Sequence, residues 1–187
     1  LIDNSLYFEE VELIFKARRW DKEQGITAAY NFAINAGFEG VMIKDLDADY
    51  SIGKRTKALL KHKPPQINLD VVITTAKYGE GKRHDVFGTY GISVRDENGG
   101  FVSIGSVGTG LSDADLRRLT SQLKQTIEFF RDGNFHVLPR LVLEVTCDLI
   151  SQDRDGNYGL RFPRVKRIRD DKFAADCNTL ADIMELA

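Results

Sequence analysis

The chain has 187 residues, with 26 basic against 28 acidic side chains, a formal net charge of −2 and 42% hydrophobic residues. This composition fits a globular protein that buries its own core, and it excludes nucleic-acid binding through overall charge alone. Two cysteines without a CxxC pair argue against a zinc ribbon or a disulfide scaffold, and no apolar run approaches the roughly 18 residues of a membrane span.

The N-terminal third of the chain predicts one helix followed by two short strands. Residues 22–37 have helical character, and Gly37 suits a left-handed C-cap. FEGVMIK (38–44) and ALLKHK (58–63) have strand character, with an exposed loop between them. Pro64-Pro65 forbids continued ladder pairing, so this pair is the best candidate for a domain boundary.

Beyond the two prolines, short β-branched or aromatic runs alternate with glycines. These runs predict three strands, with RDENGG (95–100) as a hairpin turn. Residues 112–131 are predicted as one helix, with Ser112 as its N-cap and Asp115 three residues on. The apolar stripe of this helix comprises Leu116, Leu119, Leu123, Ile127 and Phe130.

The last third of the chain predicts two more strands and a final helix. The strands are RLVLEVTCDLI (140–150) and YGLRF (158–162), and residues 174–186 form the closing amphipathic helix. Five or so short strands with one helix after the third are the element pattern of an OB barrel. The sequence therefore predicts an α+β protein that contains a five-stranded OB-fold β-barrel.

EGVMIK (39–44) is the first charged motif. Glu39 and Lys44 point to opposite faces by strand alternation, unless one of them lies beyond the strand end. A carboxylate and an ammonium beside one pocket could hold a divalent metal and a phosphate, respectively. The alternative is a surface salt bridge.

ALLKHK (58–63) carries the second charged motif. Lys61 and Lys63 are two residues apart on a strand and share a face. Two ammonium groups on one face repel each other unless an anion lies between them, and a nucleotide phosphate is the natural candidate. The alternative is an edge strand that its lysines protect from further pairing.

The densest charge lies in GLRFPRVKRIRDDK (159–172), which has four arginines, two lysines and two aspartates in fourteen residues. Arginines bind phosphate oxygens in bidentate fashion, and the aspartates can orient them. The alternative is a basic surface loop neutralised by acidic residues elsewhere. The arginines concerned are Arg161, Arg164, Arg167 and Arg169.

Taken together, these three motifs resemble the ATP-dependent DNA ligases of the covalent nucleotidyltransferase superfamily. They match, in order and spacing, that family's motifs IV, V and VI. The resemblance covers nearly the whole chain and is strong from Gly37 onward. The OB-domain sequence of the family is also similar to YGEGKR (78–83), GSVGTGLSDADL (105–116) and VLEV (142–145).

The resemblance implies two domains. Residues 1–64 would be the C-terminal part of the adenylation (nucleotidyltransferase) domain, with part of its ATP-grasp-like sheet and a helix. Residues 65–187 would be the OB-fold domain with one inserted helix and a C-terminal helix.

The resemblance also implies a role for each matched residue. Glu39 would help bind the catalytic Mg²⁺ or Mn²⁺, while Arg169, Asp171 and Lys172 would match the family's RxDK element, which closes over ATP. Lys44, Lys61 and Lys63 would contact the nucleotide phosphates. Arg161 and Arg164 would contact nucleotide or DNA. The phosphate backbone of nicked duplex DNA would be contacted by Lys54, Arg55, Lys82 and Arg83.

Two departures from the family pattern stand out. Leu59 occupies the position where the family usually has tryptophan. The nucleophilic Lys-x-Asp-Gly element does not occur in the sequence. We therefore expect the C-terminal portion of a ligase, which by itself fails to become adenylylated. Its partners would be the rest of the ligase polypeptide, nicked DNA and a sliding clamp, with no membrane, in the cytoplasm (nucleoid) of a prokaryote or the nucleus of a eukaryote.

Two alternatives remain open at this point. One is a non-catalytic OB-fold module that binds nucleic acid, with Phe87, Tyr90 and Phe101 either as base-stacking platforms or as core residues. The other is a related RNA ligase or mRNA-capping nucleotidyltransferase. The GSVGTG and LRFPR stretches favour a DNA ligase over the latter.

Overall fold

A computed structural model describes residues 22–45, 47–49, 52–53 and 56–187. The chain divides into two units, Leu1–Pro65 and Gln66–Ala187. This division lies directly after Pro64-Pro65. The assignment of the two units to an adenylation domain and an OB domain stays a prediction.

The first unit contains one helix and one β-hairpin among its described residues. Helix α1 (Lys22–Asn35) is followed by strands β1 (Val41–Lys44) and β2 (Leu59–His62), which pair in antiparallel fashion. Gly37 has a φ of 81° and closes the helix, since its N–H donates to the Ile34 carbonyl at 3.0 Å. The glycine cap was predicted, because only a residue without a Cβ adopts this backbone conformation readily.

A curled antiparallel sheet dominates the second unit. It contains β3 (Ile67–Tyr78), β4 (Phe87–Arg95), β5 (Phe101–Val107), β8 (Val142–Cys147) and β11 (Arg164–Ile168). These strands lie in the order β11-β8-β3-β4-β5. The long strand β3 has one bulge, at Thr74, and its partner β4 has another at Gly88. Strand β3 pairs with β8 along its first half and with β4 along its second. Bulges bend a strand, which lets one strand curl around an OB-like half-barrel.

Two hairpins and two helices complete this unit. Strand β7 (Asn134–Val137) joins the sheet beside β3, and β6 (Ile127–Arg131) pairs with β7. Strands β9 (Leu149–Gln152) and β10 (Tyr158–Arg161) form a separate hairpin. The helices are α2 (Asp113–Lys124) and α3 (Leu180–Leu186), and 3-10 turns lie at Gly81–Arg83 and Ala174–Asp176.

Helix α2 begins and packs as its sequence predicts. The Ser112 side chain accepts from the N–H of Asp115, and the Asp115 carboxylate accepts from the N–H of Ser112, which together form a capping box. Its buried leucines face the core of the sheet. The Thr120 hydroxyl accepts from the N–H of Phe87 at 2.8 Å, which ties the helix to β4.

The helix predicted over 112–131 is wrong in its second half. Helix α2 ends at Lys124, and Ile127–Arg131 is strand β6. Asp132 and Gly133 have φ values of 50° and 77°, as in the type I′ turn that joins paired strands. The β-branched and aromatic residues before this Asp-Gly turn favour a strand, and pairing with β7 overrides the helical spacing.

The structure differs from the sequence-based expectation at two further places. Residues 164–168, which lie outside every strand that the sequence predicts, form β11 at the edge of the sheet. The closing helix, predicted over 174–186, is a 3-10 turn followed by the short helix α3, which begins at Thr179 through a second capping box with Asp182.

The aromatic residues named as stacking candidates divide between core and surface. Phe87 and Tyr90 are fully buried, so both belong to the core rather than to a base-stacking surface. The Tyr90 hydroxyl donates to the Phe87 carbonyl at 2.7 Å, and burial raises its pKa. Phe101 is half-buried. No helix in the described part of the chain is long and apolar enough to span a membrane.

Candidate functional site

Two of the predicted phosphate-binding lysines lie on the same face of the first hairpin. Lys44 is paired with Leu59, and Lys61 is paired with Met42. Because directly paired residues and alternate residues share a face, Lys44 and Lys61 are diagonal neighbours on one face. Helix α1 lies against the opposite face, where Tyr30 packs on His62 with ring centroids 4.3 Å apart. The lysine face is therefore the side of the hairpin that α1 does not cover.

The start of this hairpin brings Glu39 towards Lys63. Gly40 has a φ of 130°, and a Cβ at this position would lie 2.2 Å from the His62 carbonyl oxygen. Glycine is therefore required for the close approach of the two chain segments. The Glu39 carboxylate lies 4.0 Å from the Lys63 Nζ. Glu39 thus lies beyond the strand end, where the strand-alternation argument does not constrain it.

The family resemblance implies a divalent metal near Glu39, and the surrounding residues show whether they could hold it. Within the described ranges, no group of three or more His, Cys, Asp or Glu side chains could hold a metal ion. Glu39 can therefore supply at most one of the six or so oxygen ligands that Mg²⁺ requires. These residues do not by themselves make a metal site.

In the second unit, the structure divides the dense cationic run between the two ends of β11. Arg161 and Arg164 flank a corner at Phe162-Pro163, between β10 and β11. Phe162 has a φ of 52° and is exposed, and the Arg161 guanidinium lies 5.3 Å from the centre of its ring. The N–H of Val165 donates to the Thr109 carbonyl at 2.8 Å, so the loop that follows β5 supports this corner.

At the other end of β11, residues 169–172 form a tight turn, which we call the RDDK turn. The N–H of Lys172 donates to the Arg169 carbonyl at 3.3 Å. The Arg169 guanidinium donates to both carboxylate oxygens of Asp171, at 2.9 and 2.8 Å. This bidentate pair raises the pKa of Arg169 and lowers that of Asp171. Asp170 pairs with Arg118 of α2.

A carboxylate from β3 holds both ends of the RDDK turn. Asp70 accepts from Arg169 Nη1 at 2.8 and 3.1 Å, and from Lys172 Nζ at 2.7 Å. The side chains of Asp70 and Arg169 are only 16% and 12% exposed. Arg169 is therefore a largely buried part of the sheet surface, whereas Asp171 is 65% exposed.

Glu144 of β8 lies between Asp70 and the cations of β11. It is paired with Asp70 on one side and with Arg167 on the other. Its carboxylate accepts from Arg167 Nε at 2.5 Å and lies 3.0 Å from Lys166 Nζ. Hydrogen bonds from Arg167 and then Lys166 lower the pKa of Glu144. Arg167 is thus paired with a carboxylate within the sheet, which the structure does not show for Arg164 in the part of the chain that it describes.

Of the predicted DNA-binding residues, Lys54 and Arg55 lie outside the part of the chain that the structure describes. Lys82 and Arg83 lie in the 3-10 turn after β3, where Lys82 is exposed and Arg83 pairs with Asp113 at 2.8 Å. Arg83 also lines a shallow pocket of about 230 Å³, together with Lys77 and Thr89.

Sequence reasoning missed the two carboxylates that organise this surface. Asp70 stands in LDVVI and Glu144 in VLEVT, each amid apolar residues of a strand. A charged group is buried only with a partner, because losing its hydration is costly. A lone acid within an apolar strand was therefore the available signal for a cationic partner.

Two family models match this chain. The model described as "ATP dependent DNA ligase domain" matches residues 8–63, and the one described as "ATP dependent DNA ligase C terminal region" matches residues 83–172. One match lies within each unit.

Individual proteins agree with these matches. The DNA ligase of Methanococcus maripaludis strain C5 is 46% identical over 160 residues, which is 84% of this chain and 28% of that protein. The DNA ligase of Methanocaldococcus jannaschii is 45% identical over 156 residues, which is 82% of this chain and 27% of that protein. The chain therefore spans less than a third of the length of these curated relatives.

Solved structures show the same relationship. The structure described as "Pmar-Lig_PreS3" has a TM-score of 0.58 at 30% identity, and the match covers 79% of this chain and 31% of that one. The ligase domain from M. tuberculosis LigD has a TM-score of 0.54 at 28% identity, over 80% of this chain and 50% of that one.

Proposed function

Because this chain belongs to the ATP-dependent DNA ligase family, we propose that it forms the C-terminal part of an enzyme that seals nicks in duplex DNA. The observation that carries the proposal is the placement of the charged motifs. Lys44 and Lys61 share the face of the first hairpin that α1 does not cover, and on the second unit Asp70 contacts the residues at both ends of the RDDK turn. The lysine face and the turn are both suited to binding the phosphates of a nucleotide.

The reaction of this enzyme class explains why such cations are needed. A lysine attacks the α-phosphate of ATP, AMP passes to the 5′-phosphate at the nick, and the 3′-hydroxyl then displaces AMP. Each step is a substitution at a highly anionic phosphorus, so fixed positive charges offset the charge that develops. In our proposal Lys44, Lys61 and Lys63 bind the nucleotide phosphates. The RxDK element of Arg169, Asp171 and Lys172 closes over ATP and orients the departing pyrophosphate.

A divalent metal would supply further charge neutralisation on the phosphates. Glu39 would contribute one oxygen ligand to that ion, and the other ligands would come from water, from the nucleotide or from elsewhere in the ligase. No step is assigned to the metal from the residues of this chain.

Nicked DNA is the second substrate in the proposal. The exposed Arg161 and Arg164 at the β10–β11 corner and Lys82 on the 3-10 turn are suited to phosphate contacts. The remainder of the ligase polypeptide and a sliding clamp are the proposed protein partners.

The test uses the full polypeptide encoded by the gene that contains this chain. After incubation with α-labelled ATP, we expect a covalent AMP adduct and subsequent sealing of nicked duplex DNA. The 187-residue chain alone should take no label, since it has no Lys-x-Asp-Gly element. Labelling by GTP in place of ATP would indicate a capping enzyme, and a full polypeptide that binds DNA without taking any label would contradict the proposal.

A further inference from the structure

Asp70, the fourth residue of β3, contacts two cations at once. Its one carboxylate accepts three hydrogen bonds from two cations, Arg169 and Lys172. These cations stand at the first and last positions of the RDDK turn. The carboxylate therefore links the two ends of the turn from outside, in addition to the backbone bond between them.

The backbone of Asp70 is fixed from a second direction. Its N–H donates to the Asn178 side-chain oxygen at 2.8 Å, and its carbonyl accepts from the N–H of Asn178 at 2.9 Å. On the sheet itself, Asp70 is paired with Glu144 of β8. The carboxylate is thus presented from a rigid position, between the sheet and the segment that leads into α3.

Stability alone does not explain an acid at this position. Removing ions from water offsets most of the attraction between them, and apolar replacements of buried ion pairs are often as stable. Ion pairs do, however, hold side chains in defined directions. Asp70 fixes Lys172, whose side chain is 30% exposed, while Arg169 fixes the more exposed Asp171.

We propose that Asp70 is a positioning residue for the nucleotide step, because it holds the RDDK turn so that the Lys172 ammonium meets the triphosphate of ATP in the correct geometry. This inference rests on the proposed function. In that step a bond forms between the lysine nitrogen and the α-phosphorus of ATP. The bond from the α-phosphorus to the oxygen that bridges to the β-phosphate breaks, and pyrophosphate leaves. Misplacing groups that contact the departing pyrophosphate slows this step and leaves the later steps, which use no ATP, unaffected.

The experiment compares Asp70→Asn with the wild-type full polypeptide in two assays. The first is the single-turnover rate of AMP adduct formation at saturating ATP. The second is the sealing of a nick whose 5′-phosphate already carries AMP. We expect the variant to form the adduct about tenfold or more slowly, because small misplacements carry large kinetic costs, and to seal the pre-adenylylated nick at a near wild-type rate.

Two further variants complete the comparison. Asp70→Glu keeps the charge and should restore part of the adduct rate. Asp153→Asn is the matched control, since Asp153 also accepts several hydrogen bonds in a turn but lies in the β9–β10 hairpin. It should leave both rates unchanged.

Each outcome decides between the interpretations. If Asp70→Asn loses rate equally in both assays, or in neither, the positioning role is overturned. The proposed function stands in that case, provided that the wild type forms the adduct. A wild-type polypeptide that forms no adduct would overturn the proposed function, and this inference with it.

Discussion

Arg167 of β11 lies directly opposite Glu144 of β8, and its Nε–H donates to the Glu144 carboxylate at 2.5 Å. The Glu144 side chain is only 11% exposed, whereas that of Arg167 is 61% exposed. The buried acid therefore offsets part of the positive charge that the sequence displays. At least this arginine of the run is a structural element of the sheet.

Glu144→Gln should reduce stability in a pH-dependent manner. Hydrogen bonds from Arg167, then Lys166, hold the pKa of Glu144 below its ordinary value of 4.5. A lowered pKa stabilises the fold above the ordinary pKa, and this contribution disappears as the pH falls through the folded-state pKa. We expect the free energy of unfolding at pH 7 to fall by about 1–3 kcal/mol. Urea unfolding from pH 7 to pH 3 should show the difference from wild type shrinking below about pH 4.

Glu185→Gln is the control for that measurement, because Glu185 is exposed on α3. It should unfold like the wild type across the range. A Glu144→Gln deficit that stays constant down to pH 3 would show that the ion pair is not its cause.

Gly133→Ala should destabilise the β6–β7 hairpin. Gly133 has a φ of 77°, where a Cβ meets the following carbonyl oxygen and costs about 1–2 kcal/mol. Thermal unfolding should show the loss. Gly159→Ala is the matched control, because its backbone is not left-handed and the nearest atom to the added Cβ is 3.9 Å away. Equal losses for the two variants would argue against a strained turn.

Lys82→Ala should weaken the binding of nicked duplex DNA by the 187-residue chain. Each phosphate contact releases counterions, so loss of one contact should lower the slope of log affinity against log salt by about 1. Fluorescence anisotropy at several salt concentrations measures this slope. Arg154→Ala, an exposed cation in the β9–β10 turn, should leave it unchanged. Identical slopes for Lys82→Ala and wild type would exclude Lys82 from the DNA surface.

Ile183→Ala should show that α3 is part of the folded second unit. Ile183 is fully buried, so truncation removes apolar contacts and leaves a cavity, at a cost of about 2–5 kcal/mol. Met184, the next residue, is 58% exposed, so Met184→Ala should lower the free energy of unfolding by less than about 0.5 kcal/mol. Denaturant unfolding of both variants tests this, and similar midpoints for the two would mean that α3 is not cooperatively folded.

Local signals in the sequence predicted several elements well. The Gly37 cap, the Ser112 capping box and the RDENGG turn depend on a few neighbouring residues, and the structure confirms each of them. The same local approach failed after Lys124, where helical spacing continued into residues that pair with β7. The Asp132-Gly133 dipeptide was the missed signal.

The candidate site shows the same division. The sequence by itself determined which residues carry charge, that Lys61 shares its strand face with alternate residues, and that Arg169 and Lys172 stand three residues apart. Only the tertiary structure decided which charges are paired. It places Asp70 beside Arg169 and Lys172, about 100 residues further along the chain. It also places Glu144 beside Arg167, 23 residues further along. The physical reason is that a charge acts through its nearest partners, and strand register, which brings distant residues together, sets those partners.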